Sequence, residues 1–289
     1  SIRLTYDYDT FGSGVAPALD FYVPDTPEER WSVAFNDSKY AGFSALNGSS
    51  GNAISLTDIS LVDGSSGDTL SGTFTATVNG VLKVSQVHSF NVNDSFYKTE
   101  VTLTNVSGAN LPIVEFMRSF DPDGTRSVGG SNTTTNVVGG QFATEGYSLV
   151  SAASLEGDAY NLLTGDLAVA FLYARKAPNA IAYTYGFTND NPYEFDGLGQ
   201  STGYTSVRDD AIGIVFKAGD LAPGGVARFT YYTGVTISDD PLSVVTEVAA
   251  STSTSGVLFG DPGTSPITGQ PTVEQFIRGV LSFVQTSIS

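Results

Sequence analysis

"NDSFYKTEVTLTNVSGANLPIVEFMRSFDPDG", Asn93 to Gly124, decides how this chain is read. It spells two long strands separated by the loop NVSGAN, with β-branched and aromatic residues throughout and a turn of acids at the end. In the second strand Arg118 shares a face with Val114, Phe116 and Phe120, while Glu115 shares the other with Ile113 and Met117. Both faces are mostly apolar, which predicts a strand covered on two sides. A charge in such a strand needs a partner, because an isolated buried charge costs several kcal/mol or more. Asp121 and Asp123, just downstream, are the expected partners of Arg118.

Upstream, "TFTATVNGVLKVSQVHSFNV" (Thr73–Val92) alternates Phe74, Ala76 and Val78 with threonines, and Asn79-Gly80 fits a type I′ hairpin turn. These two strands and the two of the opening stretch are expected to form one four-stranded meander. Downstream, "AVAFLYAR", "AIAYTYGF", "AIGIVF" and "VARFTYYTGV" continue the β pattern, and residues 1–50 mix short strands with turn residues. The fold class expected is all-β: two large antiparallel sheets packed face to face over residues 1–237, supersandwich-like first and jelly roll second. Residues 238–289 read as a helical appendage with a linker. Its first helix has Asp240 and Pro241 at the start and Val244, Val245 and Val248 on one face. Its second has the capping box Thr272/Gln275 and an apolar face from Val273 through Phe276, Ile277, Val280 and Leu281 to Val284. That face is expected to dock on the chain's own sheet or to serve self-assembly.

Charge narrows the function. Thirteen Lys and Arg against 30 Asp and Glu leave a formal net charge of −17, which repels phosphate backbones and anionic headgroups and argues against nucleic acid and membrane partners. Carboxylates favour hard cations such as calcium, and a polar, aromatic surface favours neutral hydroxylated ligands. The chain has no cysteine, so disulfides, thiolate catalysis and Cys-zinc sites are excluded. It opens on "SIRLTYDYD", without the basic and apolar regions of a signal peptide, and no apolar run approaches the ~18 residues of a membrane span. The expected location is extracellular or at the cell surface.

Several groups could carry chemistry. His88 is the single histidine, so it would be the base of any triad, yet no G-x-S-x-G elbow is present; it reads as a structural or cleft-lining group with a ligand contact as the alternative. Arg118 and Glu115 are candidates for sugar or carboxylate recognition. In "FDPDG", Asp121 and Asp123 lie two apart on a tight turn and suit calcium. "FTNDNPYEFDGLGQ" (Phe187–Gln200) sets Asn189, Asp190, Asn191, Glu194 and Asp196 around Tyr193 and Phe195, the composition of a shallow glycan site. Trp31 and the stripe Tyr183, Tyr185, Phe187 read as core, with a sugar platform as the alternative.

Over Thr73–Val235, "SFYKTEVTLTNVSGANLPIVEFMRSFDPDG" followed by "DDAIGIVFKAGDLAPGGVARFTYYTGV" resembles β-rich ectodomains of large secreted bacterial exoproteins of the repeats-in-toxin type. The strand pattern is also similar to mutarotase-like supersandwich proteins. The resemblance implies secretion and an all-β fold. It does not carry over the calcium-binding nonapeptide repeat G-G-x-G-x-D, which is absent, or a mutarotase's histidine pair, which one histidine cannot supply. The function expected is a non-catalytic extracellular module that binds a glycan or a cell surface, with calcium bracing its loops. Two alternatives stay open: a carbohydrate-active hydrolase, lyase or epimerase using Glu100, Glu115 or Asp121 with His88 or Arg118, and a structural assembly protein.

Overall fold

The computed structural model describes residues 5–7, 18–21, 29–43, 56–91, 94, 96–123, 125–126, 129–158, 167, 169–175, 177, 179–186 and 190–236. The helices expected after residue 237, the boundary placed there and Asn189 all lie outside these residues.

The described chain is an all-β sandwich, as its period-two pattern requires. After a small pair, β1 (Thr5–Asp7) with β2 (Ala18–Asp20), the strands sort into two antiparallel sheets. The larger has nine strands. Its centre is β12 (Val169–Arg175), β16 (Val226–Thr236), β8 (Phe96–Asn105) and β7 (Leu82–Asn91). Beyond β7 lie β6 (Thr69–Val78) and the edge strand β5 (Leu56–Asp63); beyond β12 lie β11 (Tyr147–Ser154), β10 (Thr134–Gly140) and the edge strand β14 (Thr205–Arg208). The smaller sheet runs β13 (Ala180–Tyr185), β15 (Ala211–Leu221), β9 (Leu111–Phe120), β3 (Glu29–Phe35) and β4 (Ser38–Phe43). A nine-stranded sheet is supersandwich-like and too broad for a jelly roll, which divides eight strands between two sheets.

The β6–β7 hairpin forms as its turn demands: Asn79 and Gly80 have φ of 49° and 70°, the two left-handed positions of a type I′ turn. The four-stranded meander needs correction. β8 does not pair with β9; instead β9 leaves for the smaller sheet and lies between β15 and β3. The cause is its two apolar faces. A strand at the end of a one-sided meander would expose one of them, whereas the centre of the smaller sheet is covered on both sides. NVSGAN is therefore an arch between sheets, held by buried Asn105, whose Nδ2 donates to Ala109 O and Leu221 O, both at 2.7 Å. Its Oδ1 accepts from Ser107 N at 2.9 Å.

Between the sheets, alternate residues of each strand form one core. Trp31 stacks parallel to Phe116 with centroids 6.3 Å apart, and Phe216 of the smaller sheet stacks on Phe229 of the larger at 4.3 Å. The smaller sheet's outer face is covered by a 3-10 helix, Pro192–Gly197, whose Phe195 stacks on Tyr183 at 3.6 Å. Tyr183 can lie flat because its cross-strand neighbour is Gly213, where a Cβ would come within 2.2 Å of the Tyr183 ring. A short helix α1 (Phe142–Glu145) ends at Gly146 with φ 73°.

Candidate ligand-binding site

The residues singled out in the sequence fall into three separate places. The first lies between the sheets. Arg118 and Trp31 are register partners, and so are Phe120 and Glu29, which puts Glu29 on Arg118's face of the neighbouring strand. The buried carboxylate brought against Arg118 is Glu29, correcting the expectation of Asp121 or Asp123. Asp121 follows Phe120 and so falls on the opposite parity from Arg118, and Asp123 lies past the strand end. The guanidinium also donates to Tyr97 OH at 3.2 Å and Arg30 O at 3.3 Å. His88 faces this group from β7, its Nδ1 3.0 Å from Thr99 Oγ1 and its ring edge-on to Tyr97.

Burial sets the protonation states here. Desolvation, reinforced by the Arg118 charge, pushes His88 down to about 3, so its imidazole is neutral. Burial raises the Glu29 carboxyl, and Arg118 offsets only part of that. Burial likewise raises the Tyr231 phenol. No member of the group, from Glu29 and Arg118 to His88, Thr99, Tyr97 and Tyr231, is more than 8% exposed. A neutral imidazole beside an Arg–Glu pair could move protons, but the group is buried between the sheets.

Glu115 is not part of this group. It lies on the other face of β9, buried and directly across from Lys217. Glu100 lies on the outer face of the larger sheet, paired with Lys98 at 3.0 Å. The two carboxylates are thus separated by both sheets, too far apart to flank one glycosidic bond, which requires roughly 5–10 Å.

The second place is the acidic turn after β9. Asp121 and Asp123 are joined there by Asp209, from the turn before β15, with one carboxylate oxygen from each within 4.8 Å of the others. The pairing of Ile212 with Phe120 brings Asp209 in, a link that sequence spacing does not reveal.

The third place is the loop expected to present glycan-binding groups. Its polar atoms hold the 3-10 helix against the sheet. Asp190 is buried in an ion pair with Lys39, Asn191 caps the helix through Tyr193 N and donates to Glu194, and Tyr193 OH donates to Ile113 O at 2.7 Å. Asp196 lies within the helix, but its side chain is outside the description.

Beside this helix the surface opens into a cleft of about 480 Å³, bordered by β13, the residues after the helix and the start of α1. Phe142, Ile181, Leu198 and Asn179 line it beside the buried Tyr183–Phe195 stack. The volume suits a small ligand. None of these four lining residues was singled out in the sequence. Asn179 sits at a left-handed φ of 64° in the turn before β13, a conformation that asparagine adopts more readily than most residues.

Neither a family model nor a curated protein matches the chain. Among solved structures, it is similar to the heparan sulfate lyase HepC from Pedobacter heparinus, with 10% identity and a TM-score of 0.36 over 62% of this chain and 22% of that one. It is also similar to the α-galactosidase from Lactobacillus brevis, with 12% identity and a TM-score of 0.33 over 86% of this chain and 32% of that one. A GH36 α-galactosidase, AgaB from Geobacillus stearothermophilus, is similar at 8% identity and a TM-score of 0.31 over 74% of this chain and 30% of that one. The chain spans less than a third of the length of each of these proteins.

Proposed function

We propose that this chain is a non-catalytic extracellular module that binds a glycan, free or on a cell surface, in the cleft along β13. The cleft itself carries the reading: the partly exposed Phe142, Ile181 and Leu198 offer apolar side chains to the C–H side of a sugar, and exposed Asn179 offers an amide to its hydroxyls. The burial of His88, Arg118 and Glu29 between the sheets supports a binding role over turnover. Calcium held by Asp121, Asp123 and Asp209 would brace the end of β9 against the start of β15, joining two strands of the sheet whose edge strand lines the cleft. The net charge of −17 weighs against nucleic acid, and among the described residues no helix is long and apolar enough to cross a membrane. The resemblance to secreted exoprotein ectodomains supports the extracellular location.

A glycan array probed with and without chelator tests this. Binding that Phe142→Ser weakens at least tenfold supports the cleft as the site; binding to no glycan on the array overturns the reading.

A further inference from the structure

β13 is an edge strand, and its outward backbone groups would ordinarily face water or another strand. At two successive outward positions a glutamine side chain takes the place of that strand. Ala182 N donates to Gln141 Oε1 at 3.0 Å, while Gln141 Nε2 donates to Ala182 O at 2.6 Å. Two residues on, Thr184 N donates to Gln200 Oε1 at 2.9 Å and Gln200 Nε2 donates to Thr184 O at 2.7 Å. Each amide thus reproduces the donor-and-acceptor pair that a neighbouring strand would offer.

The two clamps are also tied to each other. Gln141 Nε2 donates to Gln200 O at 2.8 Å, Gln141 N donates to Thr202 Oγ1 at 3.2 Å, and the hydroxyls of Thr144 and Thr202 lie 3.3 Å apart. Gln141 is the node, bonded to the strand and to the opposing loop. Its chain neighbour Phe142 lines the cleft, and so does Leu198, two residues before Gln200. With its amide hydrogens and oxygen spent in this way, Gln141 has little left to offer a ligand.

We infer that Gln141 and Gln200 are positioning residues: they set the cleft's shape by fixing to β13 the two segments that carry Phe142 and Leu198, and Gln141 couples the two segments. The inference rests on the cleft being the binding site, and it specifies what makes that site pre-organised, the condition under which a small cleft binds without first ordering its loops. Affinity is then controlled by two amides that line the cleft and whose hydrogen-bonding groups are committed to β13.

The test has one readout that needs no ligand and one that does. Amide hydrogen exchange on Gln141→Ala should rise about tenfold at Ala182 and across residues 142–144 and 199–203, for the loss of two side-chain bonds to β13 and one to Gln200 O. Gln200→Ala should raise exchange at Thr184 and over 199–203 while sparing Ala182. Gln141→Glu, which still accepts from Ala182 N but sets a carboxylate against two carbonyl oxygens, should match or exceed Gln141→Ala in loosening both segments; a side chain serving only as packing would be rescued by this near-isostere. The ligand readout is calorimetric titration of cellohexaose, maltohexaose, mannohexaose and a heparin hexasaccharide, with the affinity of the best binder expected to fall about tenfold in Gln141→Ala. Exchange that rises at Ala182 alone, with both segments as protected as in the parent, overturns the inference. If no oligosaccharide binds the parent protein, the proposed glycan role fails, and the exchange pattern still decides whether the two amides position the segments.

Discussion

His88→Asn should flatten the acid sensitivity of this protein. The folded imidazole titrates at about 3 against an ordinary 6.5, with burial as the main cause and Arg118 adding to it. Below pH 6.5 the unfolded chain therefore takes up a proton that the folded chain refuses. Stability from this group is fully present above 6.5 and is lost as the pH falls toward 3, at about 1.4 kcal/mol per unit once past 6.5. Between pH 7.5 and 5 the loss comes to about 2 kcal/mol, or roughly 4–8 °C in melting temperature for a domain of this size. Asparagine places an amide where the ring's Nδ1 meets Thr99, so the variant should lose a constant increment of stability but not the slope. Glu29 works in the opposite sense: burial raises its pKa, so the folded chain binds a proton before the unfolded one and acidification adds stability. That contribution is common to both proteins, and the difference between their curves isolates His88. Urea midpoints at pH 7.5, 6.5, 5.5 and 5.0 measure it. Parallel curves, or a histidine ring resonance titrating near 6.5, would refute the reasoning, and with one histidine in the chain the resonance needs no assignment.

Glu29→Gln leaves the Arg118 charge buried without its carboxylate and should cost about 3–5 kcal/mol in urea unfolding; a loss below about 1 kcal/mol would mean that Tyr97 and the Arg30 carbonyl suffice. Asn105→Ala removes the bonds that shape the arch between sheets and should cost about 2–4 kcal/mol. If Asp121, Asp123 and Asp209 hold calcium, the ion at about 100 times its dissociation constant should add about 2.7 kcal/mol, an increment that Asp123→Asn abolishes. A melting temperature indifferent to calcium rejects that site. Gly213→Ala forces a methyl into the Tyr183 ring and should cost about 1–3 kcal/mol, with the Tyr183–Phe195 stack displaced in near-ultraviolet circular dichroism.

Where a feature depends on local spacing, the sequence spells it. Alternation along Phe74, Ala76 and Val78 with Asn79-Gly80 specifies a hairpin because turn geometry and side-chain period are both short-range. The two apolar faces of β9 were also legible, and they demand cover on both sides. Its passage to the other sheet was not, because a Gly/Asn loop serves an arch as well as a hairpin and only the competition for burial decides between them. The site depended still more on distant pairing. Arg118 meets Glu29 through the β3–β9 register, Asp209 meets Asp121 through β15, and Gln141 meets Ala182 across the edge of a sheet. Asp190, Asn191 and Tyr193 have the composition of a sugar-binding loop, but that composition is equally what fastens a 3-10 helix to a surface.

The glutamine clamps have a consequence for how many copies of this protein can stand side by side. A bare strand edge is a template on which another chain's strand can nucleate, and crowding multiplies the chances. At the β13 rim of the smaller sheet that template is already filled by the protein's own amides. The rim of the larger sheet formed by β5 is broken in another way, by exposed Asp58 at φ 52°, where the register with β6 slips, and by exposed Asp63 at its end. The β13 rim is occupied and the β5 rim is kinked and charged, so at these two of the sheets' margins neighbours packed densely on a surface would meet edges that refuse sheet-to-sheet polymerisation.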